Sequence, residues 1–466
     1  MDLPDAKPRH GLLEVVSLSW PISLTLLNST VMRFVDGWFV SMTGPDAVAA
    51  QFVGGITSFI PESLASGMVG VLSTYVAQNY GAGRHRRCGQ YAWAGMLLGL
   101  IAYVLVLPMG FAADPLLRWL YPEHGPAVHQ LEVIYFQYMT FAVILTLGAR
   151  ALAEFFYGAH RPRVVLVAAI VANLANLVGD YVLVLGKWGM PAMGLRGAAI
   201  ATVVGWVLLI GIMMGAFLSQ RIHSQFGSRL LRAVRWRHVA DLARLGWPAG
   251  LQFTIDIVVW TVLVGKLAGK FGDGAIAAGS IAMRYMQLSF MPAVGIGAAT
   301  AAIVGRYIAQ GQPHMARHRA HAGLLIAMVY MGLCGALFLV YRRDLVAFFL
   351  VYGGESYSPQ AAATVSEIGA KVMICAAVFQ LFDAVGIIYL GALRGAGSTM
   401  WAMLMTLILF ALVVLGGGFA VVNFFPSLGS IGPWIVGTIY VILLGLLFAM
   451  RFESGAWRRI NLLSPH

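Results

Sequence analysis

Leu245-Gly246-Trp247-Pro248 repeats Leu18-Ser19-Trp20-Pro21 in the same direction, 227 positions further along a chain of 466 residues. Outward from these two quartets the register barely drifts. Asp46-Ala47-Val48-Ala49-Ala50 returns 228 positions later as Gly274-Ala275-Ile276-Ala277-Ala278, and Gly83 returns as Gly311 at the same offset. Tyr157-Gly158-Ala159-His160-Arg161 finds its counterpart in Leu390-Gly391-Ala392-Leu393-Arg394. Most of each half takes part in this duplication. Its period is far longer than that of solenoids or propellers and fits two equivalent helical bundles around a shared cavity.

Both halves are almost wholly apolar. Hydrophobic residues make up 59% of the chain and charged residues only 11%, with 54 glycines and a mean hydropathy of +0.80, whereas soluble domains carry about 25% charged residues. Stretches long enough to cross a hydrocarbon layer of roughly 30 Å run over 12–41, 52–79, 90–113, 131–157, 163–186 and 197–219, then over 246–269, 279–310, 320–340, 366–391, 399–422 and 432–451. The expected fold is an all-α integral membrane protein: twelve transmembrane helices in two six-helix lobes related by a parallel internal repeat. The N-lobe takes 1–220, a cytoplasmic basic linker 221–245, and the C-lobe 246–466.

Basic residues gather in every second connection: Arg84, Arg86 and Arg87; Arg161 and Arg163; Arg221 through Arg244; Arg317 and Arg319; Arg394; Arg458 and Arg459. The positive-inside bias and the even helix count place both termini in the cytoplasm of a multi-pass membrane protein. Met1 to His10 lacks the layout of a cleaved signal peptide. The net charge of +12 is explained by this alternation; no basic, aromatic-lined module points to nucleic acid. Leu230, Leu231, Val234 and Val239 interleave with Arg229, Arg232, Arg235 and Arg237, which predicts an interfacial amphipathic helix near anionic lipid. Cys88, Cys334 and Cys375 show no metal spacing and read as packing residues. The sequence holds no HExxH, nucleophile elbow or P-loop, so neither an enzyme nor a self-contained ATP-driven pump is expected, and no cofactor.

A carboxylate at membrane depth costs enough that a functional role is its default reading. Asp36, Asp180 and Thr202, from helices one, five and six, all fall roughly 8 to 9 Å below the outer surface at 1.5 Å per residue. Asn176 lies one turn deeper than Asp180 on the same face. Two carboxylates, an amide oxygen and a hydroxyl suit a small hard cation or a proton. Depth alone leaves open whether they hold an ion or cross-link helices, and Arg33, three residues from Asp36, could pair with it. Asp256 and Asp383 sit near mid-depth on helices seven and ten, and direct pairing of Asp383 with Lys371 or Arg394 along its own helix is not expected. Trp260, Tyr285, Met286 and Phe290, with Met283 and Met291, form a plausible lining for a lipophilic cation, or simply helix packing. Glu62, Arg284 and Glu367 receive no role. Pro21, Pro61, Pro248 and Pro292 invite bends, and the pairs Gly95/Gly99 and Gly211/Gly215 mark close helix contact.

Val35-Asp36-Gly37-Trp38-Phe39-Val40 with Ala47–Ala50, the run NLANLVGDYVLVLGKWGMPAMGLRGAAIAT from Asn173 to Thr202, FMPAVGIGAATAAIVG from Phe290 to Gly305 and FQLFDAVGIIYLGALRGAGST from Phe379 to Thr399 resemble the multidrug and toxic compound extrusion (MATE) family, most closely its NorM branch. The resemblance spans nearly the whole chain. It implies alternating access and efflux of organic cations or amphipathic drugs in antiport against Na+ or H+, in a protein that works as a monomer among membrane lipids. It places the coupling cation at Asp36, Asn176, Asp180 and Thr202, which would be the metal ligands if that ion is Na+, and a second cation or substrate site at Asp256 and Asp383. Asp256 stands where the branch usually has Glu. A lipid-linked saccharide flippase of the same superfamily is the alternative within transport.

Overall fold

The computed structural model describes residues 11–230, 234–352, 358–460 and 462–463. Leu231 and Arg232, the expectation for Met1 to His10, and the chain's last three residues lie outside them. Among the described residues there is no strand. The helices are α1 (Gly11–Ser41), α2 (Pro45–Gly70), α3 (Leu72–Gly81), α4 (His85–Phe111), α5 (Ala113–Leu120), α6 (Pro126–Phe141), α7 (Val143–Gly158), α8 (Pro162–Gly179) and α9 (Gly194–Leu218). They continue as α10 (Gln220–Phe226), α11 (Trp236–Trp260), α12 (Asp273–Ala309), α13 (Pro313–Val340), α14 (Arg342–Tyr352), α15 (Pro359–Gly395), α16 (Thr399–Leu409), α17 (Gly418–Phe424) and α18 (Gly432–Glu453). Eleven helical stretches are long and apolar enough to cross a membrane, and α6 with α7, meeting at 41°, make a twelfth. Every expected crossing is present.

The ends of these helices follow from local chemistry. Pro45, Pro126, Pro162 and Pro313 open α2, α6, α8 and α13, where a missing N–H costs nothing and a fixed φ suits the first turn. Gly83 at φ 72° and Gly311 at φ 70° close equivalent helices of the two repeats. After them Arg84 N–H returns to Asn79 O at 2.8 Å and Gln312 N–H to Tyr307 O at 2.9 Å, the same left-handed terminating turn twice. The prolines Pro21, Pro61, Pro248 and Pro292 lie inside continuous helices, and a 41° break separates α6 from α7 at Ala142.

The chain forms two compact units, one of residues up to Ser23 with Gln252–His466, the other Leu24–Leu251. The chain thus passes from one unit to the other at Ser23 and again at Leu251, positions one repeat apart, and not within the basic linker. Small residues explain where. Within the second unit a Cβ on Gly67 would stand 2.6 Å from Gly250 Cα, and within the first a Cβ on Gly295 would stand 2.6 Å from Ser23 Cα. Gly67 and Gly295 are repeat equivalents, as are Gly250 and Ser23, so one close helix contact is built twice.

Each crossing helix is also anchored by an acid. Glu14 on α1 accepts from Arg319 Nε at 2.6 Å and Tyr307 Oη at 3.1 Å, and pairs with Arg306. Its repeat equivalent on α11, Asp241, accepts from Tyr91 Oη at 2.9 Å. Tyr91 and Arg319 are themselves repeat equivalents. The donor chemistry differs but the place of the bond is the same.

Two expectations need correction. The linker is not one amphipathic helix: α10 ends at Phe226, Gly227 takes a left-handed φ of 63°, and α11 begins at Trp236. Gly95 and Gly99 do pack closely, against Leu72 and Leu147, but Gly211 and Gly215 have open space beside them; their spacing is right and their face is not covered. Cys88, Cys334 and Cys375 are free thiols.

Candidate functional site

Asp36 lies near the end of α1, Asn176 near the end of α8, and Asp180 begins a π-helical turn over Asp180–Val184 that continues α8. A π turn shifts the side chains that follow it relative to the α face and is frequent at functional positions. Helix α9 can approach because it is small where it meets α8. A Cβ on Gly179 would stand 2.9 Å from Ala201 Cβ, and one on Gly205 would stand 3.3 Å from Asn176 Cβ. Around the cluster pack Phe39, Val40, Val184, Leu195 and Ala198, all buried.

The three residues expected at one level and Asn176, one turn deeper, meet in space. Asp180 is 0% exposed, Asn176 3% and Asp36 9%. The Asn176 amide serves two neighbours in one orientation, Nδ2 donating to Asp36 Oδ1 at 2.9 Å and Oδ1 accepting from Thr202 N–H at 3.1 Å. Thr202 therefore joins through its backbone, while its hydroxyl donates to Ala198 O in its own helix at 2.9 Å. The Asp36 and Asp180 carboxyl groups are close enough to share a hydrogen bond. With both ionised neither has a hydrogen to offer, and both Asp180 oxygens are then buried without a partner. Arg33 is exposed and acts on Asp36 as a nearby charge.

Tyr135 of α6 belongs to this cluster and carried no signal in the sequence. It is buried, hydrogen-bonds Gln51 of α2, and neighbours both Asp36 and Asp180 electrostatically. A tyrosine in an apolar run looks like packing until the helices on either side of it are known.

In the other unit Asp256 and Asp383 lie within electrostatic reach of each other. Tyr440 Oη donates to Asp256 Oδ1 at 3.4 Å, Arg394 acts on Asp256 as a nearby charge, and Arg394 donates to Gln252 Oε1 at 3.3 Å. Lys371 is engaged by Glu367 at 2.8 Å on the surface. The four aromatic and Met positions expected to line one wall fall into separate surroundings. Trp260 packs with Phe379 and Trp434, ring centroids 5.8 and 6.2 Å apart. Tyr285 bonds Leu345 O at 2.9 Å and opens on a cleft of about 300 Å³ with Leu288, Tyr330, Cys334 and Phe338. Met286 is buried in the core and Phe290 is half-buried. Glu62 accepts from Thr146 Oγ1 at 2.6 Å, and Arg284 lies 5.6 Å from the Phe349 ring.

Known proteins match this chain along its length. It is 27% identical over 463 residues to Multidrug resistance protein NorM of Burkholderia vietnamiensis, covering 97% of this chain and 95% of that one. It is 28% identical over 410 residues to Multidrug resistance protein PmpM of Pseudomonas aeruginosa, covering 86% and 81%. Among solved structures, an outward-facing multidrug resistance MATE family transporter of the MOP superfamily superposes with a TM-score of 0.85 at 18% identity, over 97% of this chain and 98% of that one. A MOP superfamily transporter from Pyrococcus furiosus superposes with a TM-score of 0.86 at 18% identity over the same shares. The family model MatE matches residues 21–182 and again 249–419, two stretches whose starts are one repeat apart. With both halves of its duplication matched in this way, the chain belongs to the MatE family.

Proposed function

We propose that this chain is a secondary active multidrug exporter. It moves organic cations or amphipathic drugs by alternating access in antiport against Na+ or H+. The coupling ion binds at Asp36, Asn176, Asp180 and Thr202, and Asp256 with Asp383 serves the cation or drug in the other unit. The protein sits in a bacterial inner membrane with both termini cytoplasmic and works as a monomer. The names of its relatives support the substrate class.

One observation carries the coupling role: Asp180, wholly buried, has two oxygens without a donor beside a second carboxylate. Two close carboxylates cannot both stay ionised in a poorly hydrated place without a counter-charge, so a proton or small cation completes the site. The arrangement favours a proton. A proton on either acid closes the Asp36–Asp180 hydrogen bond at once, whereas Na+ would require the Asn176 oxygen to leave Thr202 N–H and turn inward.

Competition between ion and drug for ionised carboxylates then makes the exchange obligatory. Each positive charge moving inward gains about 2.3 kcal/mol per 100 mV, so the membrane potential adds to the concentration gradient. Drug efflux from proteoliposomes under separately imposed Na+ and pH gradients tests this. Asp36→Asn should fold and lose gradient-driven efflux, and Asp383→Asn should lose some substrates more than others. Efflux by the wild-type chain that ignores both gradients would reject coupled transport.

A further inference from the structure

A second cluster of titratable groups stands at the same end of the Leu24–Leu251 unit as Asp36 and Asp180. The end of α1, the end of α4, the start of α6 and the end of α8 are separated by pairs of crossings, so the α5–α6 connection shares a side with the acid pair. Under the orientation proposed above, this is the outer side.

At the cluster's centre is Glu132 of α6, 0% exposed. Its Oε1 accepts from His124 Nδ1 at 2.7 Å. Its Oε2 has no hydrogen-bond partner and faces His129 Nδ1 at 4.0 Å. His129, itself 7% exposed, bonds Asp114 Oδ1 through Nε2 at 3.0 Å, and Arg118 holds the same Asp114 at 3.2 Å. Asp114 lies in the exposed connection, and these two partners keep its carboxyl below the usual carboxylate range. As an anion it can only accept, so His129 carries its hydrogen on Nε2 and turns the lone pair of Nδ1 toward Glu132. Two acceptors facing each other across 4.0 Å, one of them a buried carboxylate, are a place prepared for one more proton.

The other groups around the cluster do not supply that proton. Glu123 lies 3.9 Å from His124 Nε2, and Tyr121 stacks on His124 while its hydroxyl meets Thr57 of α2 at 3.1 Å. Gln51 and Thr57 from α2, and Leu195 and Ala198 from α9, are uncharged.

We propose that His129, His124 and Glu132 form a proton-loading station, which takes protons from the external solution and feeds the Asp36–Asp180 pair past Tyr135. This rests on the proton branch of the antiport reading. An external proton adds to His129 Nδ1, and the imidazolium gives it to Glu132 Oε2 and returns to neutral imidazole. Protonated Glu132 then passes it inward and becomes a carboxylate again, so the station is unchanged after each transfer. The inward route is short. Tyr135 is one turn deeper than Glu132 on the same face of α6, about 4.5 Å along the axis, and already neighbours both acids of the pair. Imidazole is the side chain suited to such exchange near neutral pH.

The test uses the full chain in proteoliposomes, with ethidium as the exported cation, a fixed internal pH and an external pH stepped from about 5.5 to 8. Wild-type efflux should rise as external pH falls. Glu132→Gln and His129→Gln should slow it by about 10- to 100-fold where external protons are scarce, with ethidium binding and melting temperature close to wild type. A purely structural tie would move melting and leave the external-pH profile alone. Asp114→Asn, at an exposed position, supplies the result if the buried variants do not purify. It removes the anion that holds His129 Nε2, and the external-pH profile should depart from that of the wild type. Variant profiles that superimpose on a proton-driven wild type overturn the station and leave the antiporter standing. A wild type driven by Na+ alone overturns the station and the proton branch together.

Discussion

The close helix approach that each unit repeats gives a sharp test of how this chain is built. In Gly67→Ala the new Cβ would stand 2.6 Å from Gly250 Cα and 3.0 Å from Ala249 O. Backbone atoms cannot swing aside as a side chain can. Carbon contacts settle at about 3.5–4.0 Å, so α2 and α11 must part by about 1 Å, and such overpacking costs about 1–3 kcal/mol. Gly295→Ala meets Ser23 Cα and N at 2.6 Å and should cost a similar amount. For domains of about 200 residues each kcal/mol lowers the melting temperature by about 2–4 °C, which predicts a fall of about 2–12 °C for either variant. Gly211→Ala is the control. Nothing lies within 4 Å of its Cβ, and replacing a helix-interior glycine gains up to about 1 kcal/mol. Thermal unfolding in one detergent, followed by tryptophan fluorescence, compares the three. Equal melting of Gly67→Ala and Gly211→Ala would refute the close contact.

Asn176→Ala strands Asp36 Oδ1, at about 1–3 kcal/mol for the orphaned group; it should melt earlier and lose gradient-driven efflux, and full coupling in this variant would remove Asn176 from the ion site. Glu14→Gln leaves Arg319, whose side chain is 8% exposed, and Arg306 without their anion, at about 2 kcal/mol after allowance for partial exposure. Asp241→Asn weakens the hydrogen bond from the Tyr91 phenol and should cost about 1 kcal/mol, so the reverse order in a melting comparison would contradict the anchors described. Asp114 is held ionised by His129 and Arg118, so its contribution to stability is present above the usual carboxylate pKa and lost as pH falls through the depressed one. The melting difference between wild type and Asp114→Asn should therefore be present at neutral pH and disappear as acid protonates the carboxyl, and a difference that grows in acid would reverse the assignment.

Spacing along this chain decides depth, and depth was legible. Twelve apolar runs placed Asp36, Asp180 and Thr202 at one level because rise per residue and membrane thickness are both fixed, and the structure gathers them there. Facing is a different quantity. Gly95/Gly99 and Gly211/Gly215 have the same spacing, yet only the first pair meets another helix, since neither sequence says what lies across the groove. Thr202 shares the level of the acids but offers them its N–H through Asn176 while its hydroxyl turns back on its own helix. Tyr135 was silent for the same reason. It sits in an apolar run and acquires its partners only when α2 and α8 are set around α6, whereas Glu132 meets His129 on its own helix and His124 in the loop before it, a local pattern beside a polar connection that depth does not report. The unit boundaries were hidden more deeply, because the chain crosses at Ser23 and Leu251 inside unbroken helices, where composition does not change. They become visible only when Gly67 against Gly250 and Gly295 against Ser23 are seen as one contact made twice. A duplicated sequence can therefore report that two bundles exist while concealing which stretch of helix each one holds.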